Sequence, residues 1–109
     1  MLSWSLLALA IVTEVAATVA LKLSDGFTKV VPSTVVVVGY LLSFYFLARI
    51  LTRGMSLGIV YAVWSAVGVA LIVVIDVIWF GQRLNSLQVA GLVAIVFGVS
   101  ALELGGDEA

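Results

Sequence analysis

The chain has 109 residues, 64% of them hydrophobic and 10% charged, with a net charge of −1 and a mean hydropathy of +1.34. A soluble domain carries about a quarter charged residues, so this composition lacks the polar surface to cover a water-soluble globule. Without Cys or His there is no disulfide framework, no thiol chemistry, and neither the commonest metal ligand nor the commonest general base; five scattered Lys and Arg do not make a nucleic-acid footprint, and no Gly-Lys-Ser/Thr loop is present to cradle a phosphate.

A helix crossing ~30 Å of hydrocarbon needs about 20 mostly apolar residues. Four segments qualify, and each must be helical because a span in lipid has to satisfy its own backbone. The first runs from about Trp4 to Leu21, and its one charge is Glu14. It is not a cleavable signal, since it lacks a positive n-region and Glu14 interrupts its apolar stretch. "KLSDGFTKV" follows, with the turn pair Asp25-Gly26 between Lys22 and Lys29. The second span, Val30–Ala48, has no charge and carries Pro32 at its start, where a missing N–H costs little. Gly54 and Ser56 separate it from the third, about Leu57–Phe80, whose one charge is Asp76. Asn85 or Ser86 is the expected N-cap of the fourth, about Leu84–Leu102, and "GGDEA" (105–109) reads as a disordered tail. The expectation is an all-α integral membrane protein with a single four-helix domain over residues 1–109.

Loops one and three carry Lys22, Lys29 and Arg83; the opposite side carries Arg49, Arg53 and the terminal amine. Lys and Arg set orientation and acids count little. The near balance leaves two readings: a chain oriented by other means, or one that inserts both ways up.

A charge at the bilayer centre costs roughly 2.5–3.5 kcal/mol on insertion scales, so an intramembrane acid is a functional candidate by default. No basic residue lies within a span, and a low-dielectric surrounding favours the neutral acid over the carboxylate. Glu14 is therefore a candidate for exchanging a proton, and its partner when ionised is a cation from outside. The bland alternative is a protonated Glu14 bonded to a neighbouring helix. At helical spacing Glu14 shares a face with Leu7, Ala10, Ala17 and Thr18, mostly small residues that leave space beside it. The second helix presents Tyr40, Ser43 and Phe44 on one face, the third Tyr61, Trp64, Ser65 and Gly68. Aromatic rings beside a buried acid suit a lipophilic cation; ordinary packing is the alternative for each ring alone, and interface anchoring for Trp4. Asp76, seven residues before Arg83, reads as structural or snorkelling near the interface, with a part in transport as the alternative. The stripe Gly91, Ala94, Gly98, Ala101 on the fourth helix allows close approach of another helix, either within the subunit or between two copies.

"EVAATVALKLSDGFT", Pro32, "GYLLSFYFLA", "YAVWSAVGVA", "FGQRLN" and "GLVAIVFGV" together resemble the small multidrug resistance transporters, from Trp4 to about Leu104. The resemblance implies an antiparallel, dual-topology homodimer in the inner (plasma) membrane. It also implies a proton-coupled antiporter that exports lipophilic cations such as quaternary ammonium compounds, needs no cofactor beyond the proton gradient, and is not an enzyme. Glu14 matches the glutamate shared by proton and substrate; Tyr40, Tyr61 and Trp64 match substrate-contacting aromatics; Gly91 and Gly98 match the dimer motif, and Gly68 part of a hinge motif. Thr18, Leu7, Ala10, Ala17, Ser43 and Trp4 complete the expected substrate-contacting set. The chain departs from the pattern at Ala66 and Ala17, both often Gly, at Trp4, often Tyr, and at Asp76, which has no counterpart; loop two is one residue longer. The family's guanidinium-exporting branch typically has Trp where Ala17 stands, so "EVAAT" resembles the drug-exporting branch. The rival readings are a guanidinium exporter, a non-transport structural membrane protein, and an intramembrane hydrolase using Glu14 and Asp76.

Overall fold

The computed structural model describes residues 2–106, and the chain is helical through most of them. Four helices follow in order: α1 (Leu2–Leu23), α2 (Val30–Thr52), α3 (Leu57–Trp79) and α4 (Ser86–Gly106). A 22-residue helix is ~33 Å long at 1.5 Å per residue, and all four are long and apolar enough to cross a membrane. Two compact units divide the chain between Met55 and Ser56, the first holding α1 and α2, the second α3 and α4.

α1, α2 and α4 outrun the apolar segments that announce them at one end or both, while α3 stops at Trp79, one residue before the expected Phe80, and α4 starts at Ser86, two residues after the expected Leu84. α1 starts at Leu2 instead of Trp4, α2 continues from Ala48 through Arg49 to Thr52, and α4 extends from Leu102 to Gly106. Polarity marks where hydrocarbon ends; it does not unwind a helix. α2 ends only where the chain reaches Gly54, whose φ of +92° a residue with a Cβ rarely adopts. α4 takes in Gly105 and Gly106 of the expected tail; the rest of that tail lies outside the described residues. Pro32 occupies the third residue of α2, still within the first turn, where no intrahelical partner awaits its nitrogen.

The turn between α1 and α2 is built on Ser24, which is fully buried. Its Oγ donates to the Leu21 carbonyl at 2.7 Å and accepts the Phe27 N–H at 3.1 Å. Its carbonyl accepts the N–H groups of Thr28 and Lys29 at 2.9 and 3.1 Å. This holds three successive left-handed residues, Asp25 (φ 50°), Gly26 (φ 69°) and Phe27 (φ 66°). Asp tolerates that region and Gly is indifferent to it; the exposed Phe27 is held there by the hydrogen bond to Ser24.

Asn85, not Ser86, caps α4. The Gln88 N–H donates to Asn85 Oδ1 at 2.9 Å and the Asn85 N–H to Gln88 Oε1 at 3.0 Å, a reciprocal capping box that satisfies two orphan donors at once. Ser56 stands at the N-cap of α3, but its side chain makes no cap hydrogen bond. Asn85→Ala should therefore lower the stability of the detergent-solubilised protein by about 1 kcal/mol, whereas Ser56→Ala, at a cap without its bond, should cost markedly less; paired thermal melts of the two variants check this.

Candidate functional site

The first unit is organised by close contact of two helices. On α1, Leu7, Ala10, Ile11, Val15, Ala17 and Ala20 are buried; on α2, Val36, Gly39, Ser43 and Ile50. Gly39 marks the tightest point. A Cβ built on it would lie 2.8 Å from the Ala17 Cβ and 3.0 Å from the Thr13 carbonyl oxygen, so backbone there runs almost against backbone. At the far end from the turn, Arg53 Nε donates to Ser3 Oγ at 3.2 Å and ties the start of α1 to the end of α2.

Glu14 is half-buried on this seam, four residues after Ala10 and three before Ala17. One turn further, Thr18 Oγ1 donates to Glu14 Oε2 at 2.8 Å. The same Thr18 oxygen lies 2.9 Å from the Tyr40 hydroxyl on α2. Glu14, Thr18 and Tyr40 therefore form one continuous hydrogen-bonded chain across the two helices. Several other hydroxyls go elsewhere: Thr13, Ser33, Thr34, Ser43, Thr52 and Ser100 each donate to a backbone carbonyl three or four residues earlier. That is the usual way to satisfy a hydroxyl in hydrocarbon. Thr18 spends its hydroxyl on side chains instead. Among the described residues, no buried side-chain nitrogen or oxygen is left without a partner.

Of the residues expected around the carboxylate, the structure brings Leu7, Ala10, Ala17, Thr18, Tyr40 and Ser43 to this seam. Leu7, Ala10, Ala17 and Ser43 are fully buried, and Ala17 is small because Gly39 abuts it. Smallness here serves the approach of two helices, where the sequence suggests space beside an acid. Trp4 is exposed near the start of α1, and Phe44 is exposed on α2.

In the second unit, α3 is unbroken through Ala66 and Gly68, both buried. Along its expected face Tyr61 is exposed and Trp64 half-buried. Asp76 lies in the last turn, and its backbone carbonyl accepts the N–H groups of Phe80 and Gln82, both at 3.1 Å, closing the helix before Gly81 at φ 70°. From Ser86 to Gly105, no residue of α4 is buried. Ala94 and Ala101 are exposed, and a Cβ added at Gly91 or Gly98 meets nothing within 4 Å. The small-residue stripe is thus open in the single chain.

Sequence reading missed Gly39 and Ser24. The signal for Gly39 was present: a lone Gly inside "VVVVGYLLS", with Ser43 four residues on, is a small-xxx-small pair of the kind that lets membrane helices touch. Ser24 carried none beyond its place before Asp25-Gly26.

The family model described as Small Multidrug Resistance protein matches residues 2–95. Quaternary ammonium compound-resistance protein QacE of Escherichia coli is 47% identical over 104 residues, 95% of this chain and 94% of its own. Quaternary ammonium compound-resistance protein QacF of Klebsiella aerogenes is 48% identical over the same shares. Multidrug resistance protein EbrA of Bacillus licheniformis is 42% identical over 98 residues, 90% of this chain and 92% of its own. These relatives are named for resistance to compounds, not for a catalysed reaction.

Proposed function

The chain belongs to the small multidrug resistance family, and from that premise we propose that it is a proton-coupled antiporter that exports lipophilic cations, quaternary ammonium compounds among them, across the inner (plasma) membrane. The observation that carries this reading is Glu14: one half-buried carboxylate at the middle of an apolar helix, accepting the Thr18 hydroxyl. A proton and a cationic substrate compete for it. When the acid is ionised the cation pairs with it; when protonated, the cation leaves. The inward proton gradient then drives export without ATP.

The working unit is an antiparallel homodimer inserted both ways up. The balanced Lys and Arg of the two sides and the open stripe on α4 support it, and inverted symmetry is what alternating access uses. Two Glu14 carboxylates brought into one chamber would titrate as a coupled pair, with Tyr61, Trp64 and Tyr40 supplying aromatic faces to the cation. Gly68 is the proposed hinge of α3. Two relatives named for quaternary ammonium resistance and Ala17 in place of a bulky indole favour this branch over guanidinium export; packed on Gly39, position 17 has no room for a larger side chain.

Tetraphenylphosphonium binding to the detergent-purified protein, titrated from about pH 5 to 9, tests the competition. Affinity should fall about tenfold per pH unit on the acid side for each proton displaced and level off on the alkaline side. Guanidinium should fail to compete. Binding that ignores pH would overturn the shared-site reading, and guanidinium outcompeting the aromatic cation would move the protein to the other branch.

A further inference from the structure

We propose that Thr18 is a positioning residue whose hydroxyl relays the ionisation state of Glu14 across the α1–α2 seam to Tyr40. The inference rests on the proposed shared proton and cation site and adds a part to it.

A threonine hydroxyl has one proton to donate and lone pairs to accept with. In the structure that proton goes to Glu14 Oε2 at 2.8 Å. The 2.9 Å contact between Thr18 Oγ1 and the Tyr40 hydroxyl then has one direction: Tyr40 donates and Thr18 accepts. The chain Tyr40 to Thr18 to Glu14 is polarised toward the carboxylate, and each bond strengthens the next. Bonds to an ionised acceptor are roughly twice as strong as neutral ones, so the chain of hydroxyls is at its tightest when its last acceptor carries the charge.

When Glu14 takes a proton on Oε2, that oxygen becomes a donor and Thr18 Oγ1 must accept. The Thr18 proton then turns to the Tyr40 oxygen, 2.9 Å away, so the bond between the two hydroxyls reverses and the Tyr40 O–H is released to another partner. One proton on α1 thus resets a hydrogen bond on α2, at the level of the tight Ala17–Gly39 contact that fixes the spacing. No covalent bond changes except the O–H formed on Glu14.

The other titratable and charged groups on the two packed helices stand apart from this chain. On α2 they are Tyr45 and Arg49, both exposed; on α1 and its turn they are Lys22, Asp25 and Lys29, exposed at the turn end. Arg53, after α2, bonds Ser3 at the opposite end.

The test is the pH profile of tetraphenylphosphonium binding for wild type, Thr18→Val, Thr18→Ser, Tyr40→Phe, the Thr18→Val/Tyr40→Phe double variant and Glu14→Gln. Thr18→Val keeps the shape and removes the relay. Its half-maximal binding should move up by about one pH unit, the size of one charge-assisted hydrogen bond. Thr18→Ser should restore the wild-type midpoint. Tyr40→Phe, which keeps the ring, should move the midpoint the same way by less. The double variant should match Thr18→Val alone, because the relay is already cut.

An unchanged midpoint in Thr18→Val, failure of Ser to rescue, or additive shifts in the double variant would overturn the relay. If Thr18→Val does not fold, the Tyr40→Phe shift and the Thr18→Ser midpoint decide alone. Wild-type binding that depends on pH and is lost in Glu14→Gln, with Thr18 variants unmoved, refutes the relay and leaves the shared site standing. Wild-type binding without pH dependence refutes both.

Discussion

Glu14→Gln should abolish proton-driven uptake of tetraphenylphosphonium into proteoliposomes while leaving the protein folded. The amide has the same shape as the acid and keeps a carbonyl oxygen for the Thr18 hydroxyl, which donates to Glu14 Oε2 at 2.8 Å. The seam between α1 and α2 loses no packing atom. What disappears is the negative charge. Two opposite charges ~4 Å apart attract by about 4 kcal/mol at the effective dielectric of a partly screened site, and half of that discounted for solvent still leaves about 30-fold in affinity. The proton goes with the charge, because an amide does not titrate. Loss of binding and loss of coupling should therefore coincide, with an unchanged melting profile and an unchanged helical spectrum. Retained pH-driven accumulation in this variant would show that the driving proton travels by another group, and Asp76 would be the first to examine. Retained binding without accumulation would show that Glu14 couples without recognising the cation.

How legible this site was in the sequence differs by residue, and the differences have physical causes. Glu14 stood out because it is the one charge of its span, and hydrocarbon tolerates none by accident. The four helices were legible for the same reason: lipid enforces the apolar length and leaves no other backbone solution. Their ends were less so, since apolar composition stops at the membrane surface while α2 runs on to Thr52 and α4 to Gly106. The Asn85 cap needed the Gln88 side chain to decide it from Ser86. Thr18 was visible as a neighbour of Glu14 at i+4, a spacing internal to one helix. Its bond to Tyr40 was not, because it depends on the register between two helices. That register is set by the Ala17–Gly39 contact, and a small residue in a span reads equally well as packing or as space.

Gly39→Ala should destabilise the protein, and the sign of the effect is what makes it informative. Alanine is the better helix former by roughly 0.5–1 kcal/mol, so at a lipid-facing site the change would stabilise α2. Here the added Cβ would meet the Ala17 Cβ at 2.8 Å and the Thr13 carbonyl oxygen at 3.0 Å. Neither is the end of a flexible side chain, so the two backbones must move apart. Overpacking of this kind costs about 1–3 kcal/mol, which outweighs the propensity gain. The displacement falls one residue from Tyr40 and one from Thr18, so the 2.9 Å contact between their oxygens opens as well. A lower melting midpoint and a several-fold loss of tetraphenylphosphonium affinity should appear together. Ala17→Gly, which removes the nearest obstructing atom, should recover part of both losses when combined with Gly39→Ala, since the Thr13 carbonyl oxygen at 3.0 Å remains and glycine weakens α1 by its own penalty. Two residues in direct contact are expected to show such coupling, and distant ones are not. A melting midpoint raised by Gly39→Ala would mean that the helices are not in contact there, and the register that joins Thr18 to Tyr40 would fall with it.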